Sequence, residues 1–177
     1  MSETETDPLI DDLCTECSLC CNGVLFTSVI CATAAEARRM EELGTAIEFK
    51  EELGSFSQPC PHLEGTRCSV YADRPGRCRQ FECELLKSVR RGDQPVESAK
   101  KIIEETREAA TLLTCQLNGL DGGQNTRPVA HRCDEVMDHP TDKTDEWWQT
   151  YAEFNLQVRK VQALLKAHFY ETTVTDG

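Results

Sequence analysis

The chain has 177 residues, of which 39% are hydrophobic and 6% aromatic, so it can form one domain with a small core. Its net charge of −12 disfavours general binding to nucleic-acid phosphates, because like charges repel. The segment "MSETETDPLIDDL" lacks the basic and apolar regions of a signal peptide, and no stretch approaches the roughly 20 apolar residues of a membrane span. We therefore expect a cytoplasmic protein that binds neither nucleic acid nor membrane.

The N-terminal half combines short elements with irregular segments. The apolar run "GVLFTSVI" predicts a strand. "TAAEARRMEELG" predicts a short helix, because Thr33 and Glu36 have the spacing of a capping box and Gly44 supplies a stop. From Gly54 to Arg79 the chain is rich in Gly, Pro, Cys and Ser, which predicts irregular structure with "CSVYA" as one short strand.

Three helices are predicted in the rest of the chain. The first runs from about Gln80 to Arg91 and is closed by Gly92. The second opens at Pro95, a residue favoured in the first turn, and ends at Gly119. "DGGQNTRP" is typical of a flexible linker, and the chain from there to Asp145 is polar without periodicity. The third helix follows Asp145.

The two longer helices each carry an apolar stripe. The stripes are Val96, Ala99, Ile103, Thr106, Ala110, Leu113 and Leu117, and then Trp147, Tyr151, Phe154, Val158, Val161 and Leu165. We expect the helices to pack on each other, with a dimer through the C-terminal helix as the alternative to a monomer. The predicted organisation is a cysteine-rich metal-binding region (residues 1–92) and a helical region packed on it (93–177), together forming one compact domain. The predicted fold class is mainly α with a small irregular or β cysteine-rich core, an α+β fold stabilised by metal.

Eleven cysteines are well above ordinary usage for a chain of this length. In a secreted protein they would suggest disulfides, but the expected compartment is reducing and the number is odd. Cysteine clusters in such a chain more often bind metal. Thiol redox chemistry without metal is the remaining alternative.

The segment "CTECSLCCNG" contains the tightest cluster. Cys14, Cys17 and Cys20 are separated by two residues each, a spacing that lets three sulfurs converge on one centre. It is the triplet of ferredoxin-type iron–sulfur clusters, whose fourth ligand comes from elsewhere, and it also suits tetrahedral zinc. Because adjacent side chains usually point apart, Cys20 and Cys21 serve either different centres or one polynuclear centre.

A second set of cysteines follows at irregular intervals: Cys60, Cys68, Cys78 and Cys83. With the first cluster they could complete two four-thiolate sites, or one cluster plus further thiols, and the spacing leaves both open. His62 is an alternative ligand, although a structural role is the simpler interpretation. Four arginines that could offset the charge of metal thiolates accompany this set: Arg67, Arg74, Arg77 and Arg79.

No catalytic residue is assigned from the sequence. It has no nucleophile elbow, no phosphate-binding glycine loop and no H-E-x-x-H motif. Cys31, Cys115 and Cys133 lie outside both sets and are interpreted as ordinary, partly buried thiols.

The motifs "CTECSLCCNGVLF" and "QPCPHLEGTRCSVYADRPGRCRQFECELLKSVRRG" resemble the YkgJ-type cysteine cluster proteins, also called the CxxCxxCC family. Their domain is described as zinc- or iron-chelating. The helix near Pro95 and the C-terminal "FNLQVRKVQALLKAHFY" are also similar to bacterial members. The resemblance implies that the metal ligands are Cys14, Cys17, Cys20, Cys21, Cys60, Cys68, Cys78 and Cys83.

The resulting hypothesis is a metal-binding cysteine cluster protein. Thiolate-coordinated zinc would stabilise a small interaction or accessory module with a protein partner. The alternative is an iron protein, with iron or a 4Fe-4S cluster, that has a redox or enzyme-component role.

Overall fold

Helices form most of the computed structural model, which describes residues 8–51, 53–123, 126–138 and 144–171. The helices are α1 (Pro8–Cys17), α2 (Ala34–Glu42), α3 (Gly76–Gln80), α4 (Glu84–Arg91), α5 (Val96–Asp121), α6 (Val129–Asp138) and α7 (Asp145–His168). The strands are β1 (Ser28–Ile30), β2 (Glu48–Lys50), β3 (Leu53–Ser57), β4 (Leu63–Glu64) and β5 (Arg67–Cys68). They form two antiparallel sheets, ordered β1-β3-β2 and β4-β5. The predicted fold class, mainly α with a small irregular or β part, is confirmed.

The long helices α5 and α7 pack against each other and bury their predicted stripes. Phe154 is fully buried, whereas Trp147 and Tyr151 at the start of α7 are half-buried. The side-chain amide of Gln157 donates a hydrogen bond of 2.8 Å to the carbonyl oxygen of Ala109, which links the two helices directly. None of the helices in the described ranges has the length and apolar character needed to cross a membrane.

The end of α5 and the element that follows differ from the prediction. The helix continues past Gly119 to Asp121, where Gly122 adopts φ +84° and ends it. A glycine within a helix costs only about 1 kcal/mol, so Gly119 did not stop it. The linker and polar segment contain α6, whose Arg132 is buried and pairs with Asp121 at 2.7 Å. The buried residues Val129, Cys133 and Val136 follow helical spacing, a short stripe that the sequence prediction overlooked. Residues 124–125 and 139–143 of the same segment lie outside the described residues.

The small sheet β1-β3-β2 packs on α2. The predicted cap at Thr33 is present, since its Oγ1 accepts a hydrogen bond from the N–H of Glu36 at 3.2 Å. The return bond of the capping box is shifted by one residue, because the Glu36 carboxylate accepts from the N–H of Ala32 at 2.9 Å. The Glu36 carboxylate in turn accepts from the N–H of Gly76 at 2.9 Å and so joins α2 to α3. The predicted strand over residues 23–30 is reduced to β1, because Gly23 at φ +84° turns the chain. The predicted strand "CSVYA" is not formed: only Cys68 belongs to a strand, as the last residue of β5, and the other four residues form a turn.

The helix predicted over residues 80–91 is interrupted. α3 ends at Gln80, the chain is extended at Phe81, and α4 starts only at Glu84. The ring of Phe81 lies edge-to-face against Phe26, with centroids 4.8 Å apart. This aromatic contact accompanies the break, which places Cys83 immediately before the first turn of α4.

Substitution of Leu165 by alanine tests the α5–α7 core. Leu165 is 5% exposed, so the truncation should lower the free energy of unfolding by about 2–5 kcal/mol through lost burial and the remaining cavity. Leu156→Ala on the same helix is the matched control, since Leu156 is 68% exposed and its truncation should change stability by about 0.5 kcal/mol or less. Urea denaturation measures both variants, and equal effects would contradict the described packing.

Candidate metal centre

One cavity brings the eight cysteines of the two sequence sets together. It has a volume of about 760 Å³ and lies between α1, the small sheets, α3 and α4. The cysteines that line it are Cys14, Cys17, Cys20, Cys21, Cys60, Cys68, Cys78 and Cys83. Cys31, Cys115 and Cys133 do not line it; Cys31 and Cys133 are buried elsewhere, and Cys115 is exposed rather than partly buried.

Four thiols form what we call group one: Cys14, Cys17, Cys20 and Cys83. The last turn of α1 carries Cys14 and Cys17, which lie three residues apart and therefore on the same face. α1 ends at Ser18, whose φ of +57° reverses the chain and whose carbonyl oxygen accepts the N–H of Cys21 at 2.8 Å. This turn presents Cys20 beside the helix.

Cys83 joins group one from a distant part of the chain. It precedes α4, and the N–H of the next residue, Glu84, donates to the carbonyl oxygen of Phe169 at 3.1 Å. The end of α7 thus anchors the start of α4. The backbone amides of Leu86 and Leu85 lie close enough to Cys83 to lower the pKa that burial raises. Such amides favour a thiolate at this position.

The thiols of group one have raised pKa values in the absence of metal. Burial is the main cause, raising the pKa of Cys14 to about 11 and that of Cys17 to about 12. The charge that Cys83 carries when ionised adds to the shift at Cys14, Cys17 and Cys20. At neutral pH these thiols are therefore protonated, and a bound cation would have to displace their protons.

The other four thiols form group two: Cys21, Cys60, Cys68 and Cys78. The N–H of Cys60 donates to the carbonyl oxygen of Cys21 at 2.8 Å, which ties the first cysteine cluster to the second set. Cys68 is held by its pairing with Leu63 in the β4-β5 hairpin, and Cys78 lies in the middle of α3. Three separate segments therefore have to meet at group two.

Burial and neighbouring thiols of the same group also raise pKa values in group two. Burial raises the pKa of Cys21 to about 12 and that of Cys78 to about 11. The next largest contributions come from other members of the group, namely Cys60 and Cys78 at Cys21, and Cys60 and Cys68 at Cys78. The two groups also adjoin, because the charge of Cys21 raises the pKa of Cys20 and that of Cys17 raises the pKa of Cys21. Whether Cys20 and Cys21 serve different centres or one polynuclear centre stays a prediction.

The donor set fits a thiophilic metal. Each group offers four thiols, the ligands that zinc and iron–sulfur clusters share. In the described residues no three Cys, His, Asp or Glu side chains are already arranged to hold a metal ion. The sulfurs of a group would therefore have to draw together on binding, which repulsion between bare thiolates opposes and a cation between them favours.

The predicted arginines line the same cavity but differ in their contacts. Arg79 pairs with Glu36 at 3.6 Å, whereas Arg67 and Arg77 are exposed. Arg74 is half-buried, with its guanidinium 3.6 Å from the centre of the Tyr71 ring. It lowers the pKa of Cys14 in group one and of Cys78 in group two.

His62 has a structural contact. Its Nε2 lies 2.8 Å from Thr45 Oγ1, the residue is buried, and it does not line the cavity. The sequence analysis missed two further cations near group one: Arg90, which lowers the pKa of Cys14, and Arg107, which lowers that of Cys17. Arg107 lies four residues after the buried Ile103 on α5, and this spacing could have indicated a cation beside the apolar stripe.

A family model matches residues 13–116, well over half of the chain, and its description is CxxCxxCC, "Putative zinc- or iron-chelating domain". The match starts in α1, includes both cysteine groups and extends into α5. No curated protein and no solved structure matches the chain. With its eight cysteines gathered at one cavity, the chain belongs to the CxxCxxCC family of zinc- or iron-chelating domains.

Proposed function

We propose that this protein binds two zinc ions, one in group one and one in group two, and that the zinc stabilises an accessory or interaction module. The observation that carries the proposal is the gathering of eight thiols at one cavity, where Cys83 is coupled to the N-terminal triplet and Cys21 is coupled mainly to the second set. Four thiolates are a complete tetrahedral shell for structural zinc, which keeps no open position for catalysis. The proposed ligands are therefore all eight cysteines.

The positions of the groups support a structural role for the metal. Zinc in group one would cross-link α1 to the start of α4, and zinc in group two would cross-link the Cys21 turn, the β4-β5 hairpin and α3. The strands beside group two are only two to five residues long. Short strands with few apolar contacts are marginal without further support. Binding of zinc and folding of this region should accordingly be coupled.

The free thiols support the proposed compartment. All eleven cysteines are unpaired in the structure. Thiols at this density persist as thiols where the cell keeps them reduced. We accordingly propose a cytoplasmic location, with a protein partner for the accessory module and either a monomer or a dimer through α7.

One observation favours an iron–sulfur cluster as a second candidate for group one. The group consists of the C-x2-C-x2-C triplet plus the remote Cys83, which is the ligand arrangement of ferredoxin-type clusters. Backbone amides near Cys17 and Cys83 favour ionised sulfur and would also tune the potential of a cluster. In this alternative the protein would have a redox or enzyme-component role.

Substitution of Cys17 by serine tests the ligand assignment. Because Cys17 belongs to group one, Cys17→Ser should reduce bound zinc from about two ions to about one per chain and destabilise the protein. Cys115→Ser is the control, because Cys115 is exposed on α5 and outside the cavity. Metal analysis and thermal unfolding measure both, and full metal content in Cys17→Ser would remove the triplet from the site.

Metal and acid-labile sulfide analysis of protein purified without oxygen distinguishes the two candidates. The zinc proposal predicts colourless protein with about two zinc ions and no sulfide. Brown protein that contains iron and sulfide in equal amounts would contradict it and establish the cluster instead. Cys83→Ser distinguishes the candidates further. It should abolish the cluster if group one binds iron and sulfide, and it should remove about one zinc ion if group one binds zinc.

The pH dependence of zinc affinity tests whether the thiols with raised pKa values are the ligands. The pKa values of Cys14 and Cys78 are about 11, and those of Cys17 and Cys21 about 12, so each bound thiolate replaces a proton at neutral pH. Binding should release about four protons per zinc ion, and affinity should fall steeply from about pH 8 to about pH 6. Calorimetry in buffers of different ionisation enthalpy counts the protons. Release of fewer than about two per ion would show that these thiols are not the principal ligands.

A further inference from the structure

We propose that Arg74 is a positioning residue shared by both cysteine groups, whose guanidinium donates hydrogen bonds to metal-bound thiolates of each and raises the zinc affinity of both. This inference rests on the proposed zinc sites and extends them to a residue that binds no metal itself.

The burial of Arg74 provides the first argument. Its Nε is buried without a hydrogen-bond partner in the part of the chain that the structure describes. A buried N–H of a charged group that remains unpaired is strongly destabilising, so an acceptor is expected beside it. The cavity that Arg74 lines offers the sulfurs of both groups, which become acceptors once they are ionised and bound to metal.

The fixed geometry of Arg74 provides the second argument. Its guanidinium lies 3.6 Å from the centre of the Tyr71 ring, a cation–π contact that holds the side chain in place. The next residue, Pro75, is fully buried and restricts the backbone of Arg74 to extended conformations. A cation held in this way is already positioned before metal binds.

The location of Arg74 relative to the thiols provides the third argument. It lies between Cys68 and Cys78 in sequence and so is carried by the segment that builds group two. It also lines the same cavity as Cys14, which belongs to group one on α1. Two zinc ions with four thiolates each would carry two negative charges per site, and the adjacent Cys20 and Cys21 keep the sites close together. A cation shared by the two sites reduces their mutual repulsion.

The other cavity arginines are less suited to this role. Arg79 is engaged by Glu36 at 3.6 Å, and Arg77 is exposed, so solvent screens its charge. Arg77 therefore provides a matched control, because it is also an arginine that lines the cavity. The comparison of Arg74→Gln with Arg77→Gln removes one guanidinium in each case.

The test is zinc affinity, measured on the full chain by competition with a chromophoric chelator. Arg74→Gln should weaken zinc binding about 10- to 100-fold, the usual effect of losing a hydrogen bond to a metal ligand. Arg77→Gln should change it by less than about threefold. Arg74→Lys keeps the charge without the planar fork and should fall between Arg74→Gln and wild type. Equal affinities for Arg74→Gln and Arg77→Gln would overturn the proposal.

The shared role is tested by isolating each group. Cys60→Ser/Cys78→Ser leaves group one intact, and Cys14→Ser/Cys83→Ser leaves group two intact; Arg74→Gln should weaken zinc binding in both backgrounds. An effect in only one background would overturn the assignment of Arg74 to both. If a background fails to fold, the Arg74→Gln single variant is used instead, and the rates at which a chelator removes its two zinc ions are measured. Both rates should rise above those of the wild type. Acceleration of one rate alone would count against the proposal. Failure of the zinc sites themselves would appear separately, as wild-type protein without zinc.

Discussion

The cost of ionising thiols that are crowded into one cavity is the constraint on which the rest of this structure depends. Eight cysteines share one cavity, and burial together with their neighbours raises the pKa of Cys14, Cys17, Cys20, Cys21 and Cys78. Without a cation the thiols with raised pKa values stay protonated. Ionising two of them would place two thiolates at short range in a medium of low dielectric constant, where they repel each other. A divalent cation reverses this balance, since it converts repulsion between sulfurs into attraction to a common centre. The fold therefore supplies converging segments, and in the proposed function a bound metal would draw them together.

The breaks in regular structure coincide with the cysteines. α1 ends at Cys17 because Ser18 adopts a left-handed backbone conformation, and the turn that follows sends Cys20 and Cys21 to different groups. The extended residues between α3 and α4 separate Cys78 from Cys83 in the same way. A continuous helix over residues 76–91 would place Cys78 and Cys83 on one rigid rod, five residues apart. The interruption at Phe81, packed on Phe26, allows them to approach different partners.

Periodicity predicted the long helices well and the grouping of the cysteines not at all. The stripes of α5 and α7 and the cap at Thr33 depend on residues within a few positions, so the sequence determines them directly. α6 was missed because its apolar stripe of Val129, Cys133 and Val136 is short and stands among polar residues. Its buried Arg132 is paired with Asp121 at the end of α5. The position of Cys83 beside the N-terminal triplet depends on the contact of α4 with the end of α7, where Glu84 bonds to Phe169, 85 residues further along the chain. Cysteine spacing carries no information about such a contact.

The two groups contact cores of very different size. Group one packs against the main core, where Leu13, Leu19, Leu85 and Leu86 join the residues of α5 and α7. Cys60 of group two packs against a small cluster formed by Cys31, Ala37, Met40 and Phe56. Apolar burial stabilises by about 25 cal/mol per Å², so the small cluster contributes far less than the main core. The proposed metal at group two should therefore contribute more to the stability of its surroundings than the proposed metal at group one, where apolar packing supports the fold as well. Arg74 lines the cavity that both groups share, so its proposed hydrogen bonds would connect the part of the molecule that hydrophobic burial stabilises with the part that the proposed metal would stabilise.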